Sequence, residues 1–204
     1  VRRPRVDAAL AADLSFIEST SSSRIDGSCF YHKNHCWVKV LKPDEVIIGI
    51  NNILARIIKS IKTIVTPKSG EHIVCDQYFA HIIQEKYIVP LISPVNGSVI
   101  EINQELATNP GLIKEEYGRR NWLVSIRPDN LEKDLKNLYF GSSAIEWHRT
   151  MEKNVTEAIH AAYCVSGSEL GETMQDGGEF ILNPPDTLTP EQYYKILEII
   201  SGPV

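Results

Sequence analysis

Between about residues 36 and 126 the apolar positions recur with a period near two, in short runs separated by turn residues; beyond residue 130 the period becomes helical. Cys36-Trp37-Val38-Lys39-Val40 alternates as a half-buried strand, Lys42-Pro43-Asp44-Glu45 supplies a turn, and Val46-Ile47-Ile48-Gly49-Ile50 returns as a second strand. Asn51 is placed to cap a short helix in which Ile53, Leu54, Ile57 and Ile58 make one apolar face. Further strands are predicted at 61–65 and 71–83, separated by the turn Pro67-Lys68-Ser69-Gly70 and with a break near Cys75-Asp76. Residues 79–97 stand out: two apolar β-type runs flank a short polar tip, Gln84-Glu85-Lys86, and the second run ends in the turn signal Pro94-Val95-Asn96-Gly97. This reads as a hairpin presenting one lysine. A strand at 98–102, a capped turn at 103–107 and a closing strand at 122–126, stopped by Pro128, complete the β pattern.

Strands this short and closely spaced predict a mainly β fold, a compact sandwich or flattened barrel, with added α structure. Segments 46–54 and 99–106 echo one another, each a β-type run reaching Ile-Asn and passing into a short helical turn, as two similar halves about a pseudo-two-fold would. After Asn130, the spacing of Leu131, Leu135 and Leu138 and the stretch 144–162 predict helices forming a lid or stalk, with Trp147 and Met151 on one face. A loop over 167–185 carries Asp176-Gly177-Gly178-Glu179, where Asp176-Gly177-Gly178 reads as a turn needing positive φ. A last helix over 190–200 is capped by Thr189, with Pro190 at its first position. Ahead of the β pattern, 1–28 combine an alanine-rich helical stretch at 8–17 with a serine run at 19–23, read as an arm. The organisation expected is therefore an arm at 1–30, a β domain at 31–140 and a helical extension at 141–204.

Composition narrows the function classes. The chain is 43% hydrophobic and 23% charged, with a formal net charge of −5. Lys and Arg are scattered apart from Arg2, Arg3 and Arg5, so no basic face is available for nucleic acid. No apolar run approaches the roughly 20 residues that span a bilayer, and the expectation is a soluble protein without membrane or nucleic-acid partners. Four cysteines without a C-x-x-C or a regular framework suit reduced thiols and a cytoplasmic location. Cys29, His32, His35 and Cys36 are ligand types close in sequence, but His35 and Cys36 are adjacent and point apart in a strand, so packing roles are expected rather than metal. No nucleophile elbow, phosphate loop, zinc-protease motif or paired catalytic carboxylates occur, and His72 and His81 read as structural. His148 and His160, twelve residues apart on one helix, fall on different faces. The chain does not read as an enzyme.

From His35-Cys36-Trp37-Val38 the sequence resembles the H protein of the glycine cleavage system, in the biotinyl/lipoyl-domain superfamily. The likeness continues through Gly49-Ile50, the Pro67-to-Gly70 turn, Ser93-Pro94-Val95-Asn96-Gly97, Val99-Ile100-Glu101-Ile102-Asn103, Asn109-Pro110-Gly111-Leu112 and Trp122-Leu123. It implies a lipoyl-domain-like barrel-sandwich hybrid and aligns the family's modified lysine with Lys86, which would carry lipoate in amide linkage. The implied partners are a lipoate-attaching enzyme and the enzymes of glycine cleavage or a related one-carbon or redox system, to which a carrier presents its swinging arm. Four positions differ from the family pattern: Ile83 stands where the family has glutamate, Tyr87 where it has a small residue, Lys59 where it has glycine, and Glu116-Tyr117-Gly118 where Pro-Tyr-Gly is usual. The chain is similar to longer H-like proteins with a comparable tail.

Two readings of the hairpin tip remain open from the residues alone: attachment of lipoate at Lys86, or an ordinary solvated turn lysine on an unmodified H-like scaffold. The scaffold reading rests on the last helix, where Tyr193, Tyr194, Ile196, Leu197, Ile199 and Ile200 exceed one amphipathic stripe. That excess would serve either a partner or the protein's own core.

Overall fold

A computed structural model describes residues 25–115, 120–165 and 188–201. The expected arm and the Asp176-Gly177-Gly178 loop lie outside the described residues.

The alternating runs form two antiparallel sheets. The larger has the order β1 (Cys29–Tyr31), β2 (Cys36–Lys42), β3 (Glu45–Ile50), β9 (Trp122–Pro128), β8 (Gly97–Ile102) and β5 (His72–Ile73); the smaller has β4 (Thr63–Val65), β6 (Tyr78–Ile83) and β7 (Ile88–Ile92). Neither closes into a barrel, so the sandwich is the form the pattern takes. Pleating sends Cys36 and Val38 of β2, with Val46, Ile48 and Ile50 of β3, into the main core, while Trp37 and Ile47 point to the opposite face. Gly49 faces Trp37 in register, and a Cβ there would lie 2.2 Å from the Trp37 ring. The missing side chain lets the indole lie on the backbone, where its Nε1–H donates to the Ile50 carbonyl at 2.7 Å.

The two segments with similar sequences become β3 and β8, which flank β9, each followed by a short helix capped by an asparagine. Asn51 Oδ1 accepts the Leu54 N–H at 3.0 Å at the start of α1 (Asn52–Ile57), and Asn103 Oδ1 accepts the Glu105 N–H at 3.1 Å before α2 (Gln104–Thr108). The Asn96-Gly97 signal is a crossover rather than a hairpin turn, because β7 and β8 belong to different sheets. The predicted strand at 61–65 is shorter than expected, with Thr63–Val65 alone paired to β6.

Three helices follow: α3 (Leu131–Leu135), capped by Asn130, α4 (Ser142–Val165), and α5 (Pro190–Ser201). Ala144 near the start of α4 joins Tyr31, Trp37 and Ile47 on the outer face of the large sheet, where Trp147 stacks on Tyr139 at 5.4 Å. Further along α4, Val155 and Ile159 enter the main core, as do Tyr193, Ile196, Leu197 and Ile200 of α5. The i, i+3, i+4, i+7 spacing of those α5 residues makes one buried stripe, leaving Tyr194 and Ile199 exposed. Thr189 and Gln192 cap α5 reciprocally: Thr189 N–H donates to Gln192 Oε1 at 2.9 Å and Gln192 N–H to Thr189 Oγ1 at 3.3 Å. Among the described residues no helix is long and apolar enough to cross a membrane.

Candidate functional site

Strand parity determines what the β6–β7 hairpin shows to solvent. Ala80 and Ile82 of β6 point inward, as do Val89 and Leu91 of β7. Continued past the last paired residues, Ile83 and Ile88, the same parity turns Gln84 and Tyr87 toward the protein and leaves Glu85 and Lys86 exposed. The Gln84 N–H donates to the Tyr87 carbonyl at 2.8 Å, closing the connection. Lys86 makes no hydrogen bond or ion pair with any described residue. The polar tip is thus narrower than the sequence suggests: Gln84 is only 4% exposed.

Gln84 is buried because its amide has work beneath the turn. Its Oε1 accepts the Lys59 N–H at 3.0 Å and the Tyr193 hydroxyl at 2.9 Å. The same hydroxyl lies 3.1 Å from the Ile57 carbonyl and accepts from the Lys59 N–H at 3.2 Å. It therefore serves orphan backbone groups at the end of α1, where Lys114 Nζ donates to the neighbouring Ile58 carbonyl. On the other side of the lysine, the Tyr87 ring meets the Tyr193 ring edge-on at 5.0 Å, and its hydroxyl donates to the Pro190 carbonyl at 3.1 Å. Lys59 Nζ stands 5.0 Å from the centre of the Tyr193 ring.

The ligand-type residues near the start of the β pattern do not converge. Cys36 lies in the main core and Cys29 on the outer face, and burial pushes both thiols up to about 12. His35, at φ 65°, places its Nδ1 2.9 Å from Asn51 Nδ2. Asn51 Oδ1, which also accepts from the Leu54 N–H, lies 3.2 Å from the same ring nitrogen, so the Asn51 amide faces His35 Nδ1 with both of its polar atoms. Burial drives His35 down to about 3, and the neighbouring His148 and His32 work in the same direction. Burial and the Arg56 charge hold His148 down to about 4, whereas burial raises Glu152 to about 7. Among the described residues, no group of three or more His, Cys, Asp or Glu is placed to hold a metal ion.

A family model described as "Glycine cleavage H-protein" matches residues 29–153. The chain belongs to that family. The "Probable glycine cleavage system H protein" of Pyrococcus horikoshii is 29% identical over 129 residues, 63% of this chain and 95% of the relative. The "Glycine cleavage system H protein" of Halalkalibacterium halodurans is 30% identical over 108 residues, 53% of this chain and 84% of the relative. Among solved structures, a glycine cleavage system H protein from Mycobacterium marinum has the same fold, with a TM-score of 0.52 at 22% identity, covering 62% of this chain and 98% of that one. The family match includes the Lys86 hairpin and ends within α4, so α5 lies outside it.

The sequence points to Lys86 but not to what surrounds it. Tyr193 is 109 residues from Gln84 and 136 from Ile57, separations at which no local pattern reports a contact. The alternation of β6 does carry one usable signal, since counting by two from Ala80 and Ile82 reaches Gln84.

Proposed function

We propose that this H-protein-family chain is a carrier rather than a catalyst, with lipoate amide-linked to Lys86 and presented to partner enzymes of a glycine-cleavage-like one-carbon or redox system. The observation that carries the reading is the exposed Lys86, paired with no described residue, on the turn between β6 and β7. The residues suit the group: an amine without an ion pair among the described residues can be acylated without breaking any contact to them, and the paired strands below it form a stiff base. Lipoate would supply a dithiolane at the end of a long flexible chain. The protein's part is to hold that chain's root on a fixed turn, raising the local concentration of the group at each partner's site.

Ile83, in place of the family's glutamate, forms the last cross-strand pair of the hairpin with Ile88, so this flank of the lysine is apolar. Co-expression with a lipoate-attaching enzyme, followed by intact mass measurement, tests the proposal. The wild type is expected to gain one lipoyl group and Lys86→Arg none. A wild type that stays unmodified under conditions that modify a control H protein would remove Lys86 as an attachment site.

A further inference from the structure

The residues on either side of Lys86 are both held by one helix. Gln84, two positions before the lysine, is fixed through its Oε1 by the Tyr193 hydroxyl and the Lys59 N–H. Its Nε2 is buried with no partner among the described residues, where the hold on this side chain comes through the oxygen. That oxygen faces an N–H donor from Lys59, which makes the assignment of the amide unambiguous. Tyr87, one position after the lysine, lies edge-on to the Tyr193 ring and reaches the first residue of α5 through its hydroxyl. Tyr193 is 2% exposed and stands at the junction of the turn, the end of α1 and α5. Two of the positions at which the sequence departs from the H-protein pattern, Lys59 and Tyr87, meet at this one side chain. The helix that supplies it lies outside the family match.

We propose that α5 is a positioning element for the lysine: Tyr193, through Gln84 and Tyr87, holds the Lys86 turn in one geometry and so sets how readily an enzyme acting on Lys86 engages it. The second half of this statement rests on the reading of Lys86 as a modified residue; the first half does not. A turn held at both flanks spends little time in other conformations, and an enzyme that recognises the turn then loses none of its affinity to ordering it. Tyr193 acts on the lysine only through its neighbours.

The test uses the full chain and two variants. Tyr193→Phe keeps the ring and removes the hydroxyl, while Tyr87→Ala removes the edge-on contact and the bond to Pro190. Exchange of the Gln84 amide, the turn N–H that is bonded to the Tyr87 carbonyl, is expected to quicken about tenfold in Tyr193→Phe, as loss of one buried hydrogen bond implies, and by a smaller factor in Tyr87→Ala, with β2, β3 and β9 unchanged. In steady-state lipoylation by an attaching enzyme, the KM for Tyr193→Phe, which leaves both neighbours of Lys86 unchanged, is expected to rise severalfold with kcat unaltered; Tyr87→Ala, which puts a small residue beside the lysine, is read by exchange alone. Unchanged exchange at the turn in both variants, or loosening spread over the whole sheet, would overturn the positioning role. Faster local exchange beside an unchanged KM would overturn its link to the enzyme. A wild type that is never modified would instead overturn the reading of Lys86, while the exchange result would still decide whether α5 holds the turn.

Discussion

At the scale of single residues, close approach explains what side-chain chemistry does not. Gly49 is required by its neighbours: a Cβ there would meet the Trp37 ring at 2.2 Å and the Asn121 carbonyl at 2.8 Å. Both lie in rigid, buried surroundings, so Gly49→Ala is expected to cost about 1–3 kcal/mol through forced displacement of the indole. The shift would show as a lower urea midpoint and an altered tryptophan emission, with Gly111→Ala as a control, since the nearest atom to a Cβ there is the end of the Asn109 side chain at 3.3 Å. Asn51 carries a comparable load by different means. One amide caps α1 through its oxygen and meets the buried His35 ring, so the placement of the imidazole and the helix start depend on the same side chain, while burial keeps the ring neutral.

At the scale of elements, α5 shows how much a helix owes to the face it buries. Ile196 is 1% exposed and Ile199 is 45% exposed, three positions apart on the same helix. Ile196→Ala is expected to lower unfolding free energy by about 2–4 kcal/mol and Ile199→Ala by less than about 0.5 kcal/mol, measured by chemical denaturation. Equal effects would mean that α5 does not pack on the main core. Of the six apolar residues that make up the cue for a partner-binding scaffold, Tyr193, Ile196, Leu197 and Ile200 are thus buried in the protein's own core, and Tyr194 and Ile199 remain exposed. Elements whose information is local are legible in the amino-acid pattern: the strand at Cys36, the turn after Lys42, the asparagine caps and the Thr189-Pro190 start of α5. Pairing is not legible in the same way. The Asn96-Gly97 turn says that the chain bends, not that it leaves one sheet for the other. Lys86 as the proposed site comes from family register, whereas the Gln84, Tyr87 and Tyr193 arrangement beneath it depends on contacts more than 100 residues apart.

At the scale of the whole molecule, the buried histidines couple packing to pH. In the folded state burial lowers His35 to about 3 and His148 to about 4, and lowers His32 as well despite its bond to Asp76. On unfolding each returns toward about 6.5. The unfolded chain therefore binds more protons as pH falls below about 6.5, and the stability these rings contribute in the neutral form is progressively lost. Glu152 acts oppositely: raised to about 7, it favours the fold while protonated and opposes it as pH rises from its ordinary value through 7. Between about pH 4.5 and 6.5, two protons taken up at His35 and His148 on unfolding outweigh one released at Glu152, and His32 adds to the excess. Stability is expected to fall on acidification through this window, by at most about 1–2 kcal/mol per pH unit, and more steeply below it. Urea midpoints at three pH values across the window would check this; a flat or rising midpoint on acidification would contradict it.

The bond between Gln84 and Tyr193 also has a consequence in time. Tyr193 follows Gln84 by 109 residues, so at about 5–20 residues per second of synthesis the hairpin leaves the ribosome roughly 5–20 s before its anchor exists. During that interval Lys86 sits on a turn lacking its contacts to α5, and an enzyme attaching lipoate there, as proposed, would meet a different target from the one on the finished protein. The order in which the chain is made thus gives the turn an early period, when it is loose, and a later one, when it is held, and the proposed attachment at Lys86 would meet one or the other.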